Sequence, residues 1–166
     1  MALRLRPYRI HDEAAARVAH HELLADGFHF LLGPDEVSWP SFLAANERQR
    51  HGLGLGTDQV RGVQLAADVD GELVGRTSLR FSLNEFFASR GGHVGYAVVP
   101  RHRRRGYASE ILRQSLIILR AEGVERVLVT CDETNVASAR TIELNGGVLE
   151  STVEFEDERL RRYFIN

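Results

Sequence analysis

The segment from His93 to Ala108 constrains the fold more than any other. His93 to Val99 is apolar and β-branched, and Pro100 closes it, as proline closes a strand whose hydrogen bonding must stop. Arg101-His102-Arg103-Arg104-Arg105 follows, four arginines in five residues. Gly106 then stands ahead of an amphipathic run ending near Glu122, in which Ala108, Ile111, Leu112, Leu116 and Leu119 share one helical face. A buried strand, a short basic turn and a helix start, in that order, leave the first helical N–H groups unpaired. With the helix dipole they form an anion site. Glycine lets a phosphate approach the backbone, Ala108 adds little bulk, and flanking guanidiniums neutralise a diphosphate. There is no G-x-G-x-x-G, which argues against a dinucleotide Rossmann site. On charge alone the arginines also describe a solvated basic loop or a nucleic-acid patch; their position between strand and helix favours the anion site.

Composition removes other classes. The 166 residues contain no lysine, and all 21 basic residues are arginine. That excludes lysine Schiff-base chemistry and a P-loop, whose lysine reaches nucleotide phosphates. The net charge of -2 argues against a whole-domain nucleic-acid footprint. One cysteine, Cys131, rules out an intrachain disulfide framework or a multi-cysteine zinc site, and it reads as a small apolar core residue. His20-His21-Glu22 lacks the i,i+4 spacing of zinc ligands, so no metal is expected. No apolar run is long enough to span a bilayer, and the charged start MALRLRPYRIHDE is unlike a signal peptide. The expectation is a cytoplasmic protein with no membrane partner.

No repeat, low-complexity tract or Ser/Pro linker divides the chain, so a single domain over 1–166 is expected. Leu3 to Arg6 alternates as a strand. Asp12 caps a helix carrying Ala15, Val18, Ala19 and Leu23 and stopping near Gly27. A second helix is expected after Ser41, and a loop from His51 to Gly62. Asp70-Gly71 joins Gln64–Val69 to Glu72–Leu83 as a hairpin. Arg126 to Cys131 reads as a strand, and Asn135 to Asn145 as a helix capped by Asn135 and stopped by Gly146-Gly147. Val148–Phe155 and Leu160–Ile165 form a last hairpin. The order β-α-α-β-β-β-α-β-α-β-β predicts an α/β fold, a mixed sheet of about seven strands with about four helices.

At this point the residues carry a resemblance. Arg103-x-x-Gly106-x-Ala108 resembles the Q/R-x-x-G-x-G/A signature of the GNAT superfamily of N-acetyltransferases, which binds the pyrophosphate of acetyl-CoA. Tyr96-Ala97-Val98-Val99-Pro100 is similar to the family's central strand and its closing proline. Asn135-Val-Ala-Ser138 and Glu143-Leu-Asn-Gly146-Gly147 resemble its N-x-x-S/A helix and that helix's ending. Leu83-Asn84-Glu85-Phe86, Gly91-Gly92-His93-Val94-Gly95-Tyr96 and Arg162-Tyr163-Phe164-Ile165 further resemble a branch of bacterial predicted acetyltransferases. The resemblance implies a GNAT-like, mostly antiparallel central sheet.

It also implies site residues. The pantetheine arm would add beside the fourth strand at Tyr96, Ala97 and Val98, where a strand edge offers free backbone groups. A backbone N–H there would stabilise the tetrahedral oxyanion. The pyrophosphate would lie on Arg103, Arg104, Arg105, Gly106, Tyr107, Ala108 and Ser109. Asn135 matches the family's asparagine near the pantetheine, and also serves as an ordinary N-cap. Many members place a general-acid tyrosine seven residues after that asparagine; here the position is Ile142. A glutamate base early in the fourth strand is also missing, its place falling near Gly92. His93 is a candidate base, because imidazole titrates near about pH 6.5. Glu85 is a candidate for attracting a cationic amine, and Tyr96 for protonating the leaving sulfur. Asp132, Glu133 and Tyr163 are weighed beside them. Gly27 to Gly33, with His29, and Trp39-Pro40 read either as acceptor-pocket wall or as buried ties between the helices and the sheet.

Three functions follow. The first is acetyl transfer from acetyl-CoA to an amine acceptor. The second is an acyl-CoA-binding regulatory module with a degenerate catalytic site. The third is nucleic-acid binding by Arg101 to Arg105, which the net charge disfavours. Family members are often dimers, so a homodimer is also expected.

Overall fold

The computed structural model describes residues 2–33 and 37–166. Among the described residues seven strands form two antiparallel sheets. The first contains β1 (Arg4–Arg6), β2 (Gly62–Val69), β3 (Glu72–Arg80) and β4 (Val94–Val98), ordered β1-β2-β3-β4. The second contains β5 (Val127–Asp132), β6 (Val148–Phe155) and β7 (Glu158–Ile165), ordered β5-β7-β6. The helices among the described residues are α1 (Glu13–Leu24), α2 (Trp39–Arg50), α3 (Glu85–Ser89), α4 (Tyr107–Ala121) and α5 (Val136–Leu144). This is the expected GNAT-like fold, with its expected seven strands. The single sheet, however, is split between β4 and β5.

Local chemistry explains most elements. Asp70 and Gly71 take φ of 53° and 88°, the paired left-handed conformations of a type I′ turn that suits a two-residue hairpin. The Asp68 carboxylate accepts the Gly71 N–H at 2.9 Å and the Arg6 guanidinium at 2.8 Å. Arg6 also holds Asp12 at 2.7 Å, so one fork ties β1, the hairpin and the entry to α1. Helix α4 buries Ile111, Leu112, Ser115, Leu116 and Leu119, a stripe at helical spacing.

Two helix expectations are corrected. The second helix starts at Trp39, because the Ser38 side chain, not Ser41, caps it by accepting the Ser41 N–H at 3.3 Å, and Pro40 lies in its first turn. The expected order has no helix between the third and fourth strands, yet one forms there. Asn84 accepts the Phe87 N–H at 2.9 Å and starts α3.

The first sheet is covered on both faces. Leu112, Leu116 and Leu119 of α4 and Ile142 of α5 join Val63, Leu65, Leu79 and Val94, together with Val127, Val129 and Tyr163 of the second sheet. On the other face Ala16, Ala19 and Leu23 of α1 and Trp39 of α2 pack with Tyr8, Phe30, Ala66, Leu73, Ala97 and Val99. Full burial of each large apolar side chain contributes about 1.5–3 kcal/mol. Trp39 donates its indole N–H to the Arg9 carbonyl at 3.1 Å and stacks on Phe42, so it works as a tie between α2 and the chain leading into α1.

The sheets join at Gly92, which bridges Val129. Its φ is +63°, and a Cβ there would lie 2.4 Å from the Leu128 carbonyl oxygen. Gly92→Ala therefore combines left-handed strain with a backbone clash, and should cost at least about 2 kcal/mol in urea unfolding. Gly123→Ala, at φ +88° but with no atom within 4 Å of the added carbon, should cost only about 1 kcal/mol.

Candidate functional site

His93 follows the joint and fastens it. Its backbone N–H donates to the Leu128 carbonyl at 2.8 Å, and its Nδ1 accepts the Leu128 N–H at 2.9 Å. Its own carbonyl accepts the Arg80 N–H at 2.9 Å. A ring nitrogen that accepts a buried backbone N–H is unprotonated and occupied, so the neutral ring carries its proton on Nε2. Burial, joined by the nearby Arg80 charge, lowers the His93 pKa. His93 thus has a structural task at the position where a base was sought.

Beyond this joint β4 is paired on one side only. Arg80 N–H to His93 carbonyl and Val99 N–H to Val74 carbonyl, both 2.9 Å, fix which residues face β3. Antiparallel strands alternate. Gly95 and Ala97 therefore turn their backbone groups toward Ser78 and Arg76, while Tyr96 and Val98 turn theirs away, toward the gap before β5. The Val98 carbonyl accepts Arg103 Nε at 3.4 Å. Ala97 differs from the expected trio. Its backbone faces β3 and its methyl is buried among Tyr8, Phe30 and Val99, so it gives this edge no free backbone group.

The basic turn runs from Val99 through a short 3-10 turn, Pro100–His102. Arg104 has φ +66° and Gly106 φ +80°, the latter capping α4 with no side-chain bond. Among the described residues the N–H groups of residues 104–109 have no protein acceptor. Gly106 has no atom within 4 Å of where a Cβ would stand, so its backbone is open to an approaching group. The arginines divide. Arg101 pairs with Glu22 at 2.7 Å and Arg103 with Asp26 at 3.0 Å, both acids near the end of α1. Arg104 and Arg105 have no ion-pair partner among the described residues. Ser109 Oγ accepts Asn145 Nδ2 at 3.0 Å, tying α5 to α4, and Tyr107 is half-buried beside Ile111.

The far wall is α5. Asn135 caps it, its Oδ1 accepting the Ser138 N–H at 3.1 Å. Tyr96 reaches across, its hydroxyl 2.8 Å from Ser138 Oγ. Burial pushes the Tyr96 hydroxyl up to about 12, so it keeps its proton. Cys131 is buried and its thiol is raised by desolvation, which suits a packed thiol and not a nucleophile. Ile142 is fully buried in the core, so no acid sits there. Tyr163 donates to Glu143 at 3.0 Å. Asp132 binds the Thr134 N–H at 2.8 Å, and Glu133 pairs with Arg159 at 3.0 Å. These groups are engaged in local structure. Glu85 is exposed in the first turn of α3, with no ion pair among the described residues.

On the face of β3 and β4 covered by α1 and α2 lie two arginines that motif reading passed over. Arg76 is 3% exposed and donates to the carbonyls of His29 (2.7 Å), Gly95 (2.9 Å) and Phe30 (3.1 Å). It ties the 28–30 segment to the sheet. Arg80 donates to Gly91 and Gly92 and lies over the Phe87 ring at 4.3 Å. Burial lowers both guanidiniums to about 10. The available signal was arginine at alternate positions of an otherwise buried strand. A cavity of about 550 Å³ between α1 and α2 is lined by Trp39, Phe42 and Gln64, and no residue of β4, β5 or the basic turn borders it. Among the described residues no cluster of His, Cys, Asp and Glu is placed to hold a metal ion, and no helix is long and apolar enough to cross a membrane.

A split sheet with a half-free β4, leading through an open turn into a helix, defines an acyltransferase fold. Residues 24–146 match the model of the Acetyltransferase (GNAT) family, and the chain belongs to that family. Similar solved structures include Salmonella typhimurium yncA with its cofactor acetyl-CoA, at 19% identity and TM-score 0.69, covering 100% of this chain and 94% of that one. Mycobacterium smegmatis RimJ in complex with CoA-disulfide has 21% identity and TM-score 0.71, covering 98% and 81%. A Bordetella pertussis structure described as GNAT-family has 21% identity and TM-score 0.70, covering 99% and 95%. At these identities the likeness is one of fold. No curated protein matches the chain.

His93 yields a pH prediction. Its folded pKa lies below the unfolded value, so the folded state binds fewer protons. The stability this adds is complete above about pH 6.5 and is lost as pH falls below that value. His93→Asn offers Oδ1 to the Leu128 N–H and does not titrate. The Tm of the wild type should fall more steeply than that of His93→Asn between pH 7.5 and 5; equal slopes would remove the imidazole from the joint.

Proposed function

We propose that the chain is an acetyl-CoA-dependent N-acetyltransferase, moving an acetyl group to an amine of a small molecule or protein by direct attack. The carrying observation is the run of unpaired N–H groups at residues 104–109, immediately after the free edge of β4. We further propose a single domain over 1–166, cytoplasmic, with a homodimer through its strand edges. Acetyl-CoA supplies an activated thioester carbonyl when bound. The residues fit it. The N–H groups of 104–109 and the unpaired Arg104 and Arg105 would hold a pyrophosphate. The outward backbone groups of Tyr96 and Val98 match a pantetheine amide, and an N–H on that edge stabilises an oxyanion. Asn135 Nδ2 is without a partner among the described residues and adds a donor at the α5 start. The Tyr96 hydroxyl remains protonated and can donate toward a leaving thiolate. Glu85 would attract a cationic amine. With His93 Nδ1 occupied and Ile142 in the core, the acceptor amine enters the reaction as its free base.

Isothermal titration with acetyl-CoA, with ATP as control, tests the donor site. Micromolar acetyl-CoA binding with little ATP binding is expected, followed by amine-dependent thiol release. Equal binding of both would reduce the site to a generic anion patch. Binding without release from any amine would favour the regulatory acyl-CoA module, a reading that the occupied His93 and buried Ile142 support. Arg104→Gln combined with Arg105→Gln should weaken acetyl-CoA binding about 10-fold or more. Arg101→Gln, already paired with Glu22, should change it less than about 3-fold.

A further inference from the structure

Arg76 and Arg80 bring two positive charges to one face of the sheet, and among the described residues neither has an acidic partner. Burying a guanidinium without a counter-charge is costly. Arg76 recovers part of that cost through three carbonyl acceptors. Arg80 does not. Its two bonds leave from Nη1, whereas Nε and Nη2 have no protein acceptor and keep contact with solvent. Those two nitrogens form one edge of the guanidinium fork, the geometry that grips a carboxylate with two parallel bonds.

Gly95 lies beside the Nη1 and Nη2 end of Arg80, so Nη2 belongs both to the free edge and to the surroundings of Gly95. A Cβ there would lie 3.5 Å from Arg76 Nη1 and 3.9 Å from both Arg80 Nη1 and Nη2. The missing side chain leaves space for about one atom in contact with both guanidiniums. Gly95 directly precedes Tyr96, whose backbone faces the gap, and successive strand residues are about 3.3 Å apart. An anion on Arg80 Nη2, beside Gly95, would thus lie close to the edge proposed to hold the acetyl donor.

We infer that the acceptor is a free amino acid or close analogue, whose carboxylate is held by Arg80 Nε and Nη2 beside Gly95, with Arg76 as the second cation. This inference rests on the acetyltransferase reading above and specifies its acceptor.

The test compares matched pairs, amino acids and their amides, as acceptors in thiol release with acetyl-CoA. The amides should show kcat/KM lower by about 10- to 100-fold. In Arg80→Gln that ratio should collapse toward one, and Arg80→Lys, which keeps the charge but loses the fork, should retain part of it. Acetyl-CoA affinity should be unchanged in both variants, which also confirms that they fold. Equal turnover of acids and amides by the wild type overturns the inference and leaves acetyl transfer standing. If no amine is turned over, N-acetyl-amino acids are titrated against the CoA-loaded protein. Binding that disappears in both Arg80 variants supports the carboxylate site; no binding to the wild type overturns it. Failure of acetyl-CoA itself to bind is a separate result, and it falls on the donor reading.

Discussion

The rest of the structure depends on the joint at Gly92 and His93. Two sheets meet there through a Gly92–Val129 bridge and two bonds between His93 and Leu128. The meeting is this close because residue 92 has no side chain. It is also confined to the head of β4, so the strands part immediately afterwards. The parting turns the backbone groups of Tyr96 and Val98 to the gap, where the Val98 carbonyl meets only Arg103 Nε, and it leaves β5 paired with β7 alone. An unpaired edge is ordinarily an aggregation hazard. Here α5 and the basic turn flank it, and Tyr96 crosses the gap to Ser138.

Charge is distributed in the same way. The chain as a whole carries -2, yet both sides of β4 are locally positive. On one side lie Arg104 and Arg105 at the head of α4, and on the other Arg76 and Arg80 beneath the α1–α2 layer. The two places differ in solvation. The turn is exposed, where salt screens charge, whereas Arg76 and Arg80 lie in a low-dielectric setting where a bound anion interacts strongly. On the readings proposed above, an anion at the first place would be recognised largely by backbone N–H groups, and at the second by a rigid fork.

The sequence was most readable where local rules decide structure. The Asp70-Gly71 turn, the α4 stripe and the Asn135 cap all depend on neighbours within a few residues, and each lies where it was expected. Helix α3 was missed because five residues are too few to show a helical period, although Asn84 three residues before Phe87 is a capping signal. The start of α2 was misplaced because two serines flank Trp39-Pro40 and only structure shows which one caps. The split of the sheet depends on pairing between residues some 35 apart, such as His93 and Leu128, and no local pattern encodes it. The candidate site divides similarly. The turn was visible as a motif. That Ala97 faces β3 while Tyr96 and Val98 face the gap required the register, and the occupation of His93 Nδ1 required the contact itself.

The ion pairs of Arg101 with Glu22 and Arg103 with Asp26 are half-exposed, and such pairs contribute only about 0.2–1 kcal/mol each. They are too weak to be main supports of the fold, but they join the basic turn to the end of α1. The chain leaving α1 continues into His29 and Phe30, whose carbonyls bind Arg76. An anion that took Arg103 would take it from Asp26 and remove one tie between the turn and the end of α1. By linkage the converse also holds: a change that draws α1 away from the turn frees Arg103 for an anion. The two faces of β4 are thus connected through the end of α1 by contacts no stronger than about thermal energy.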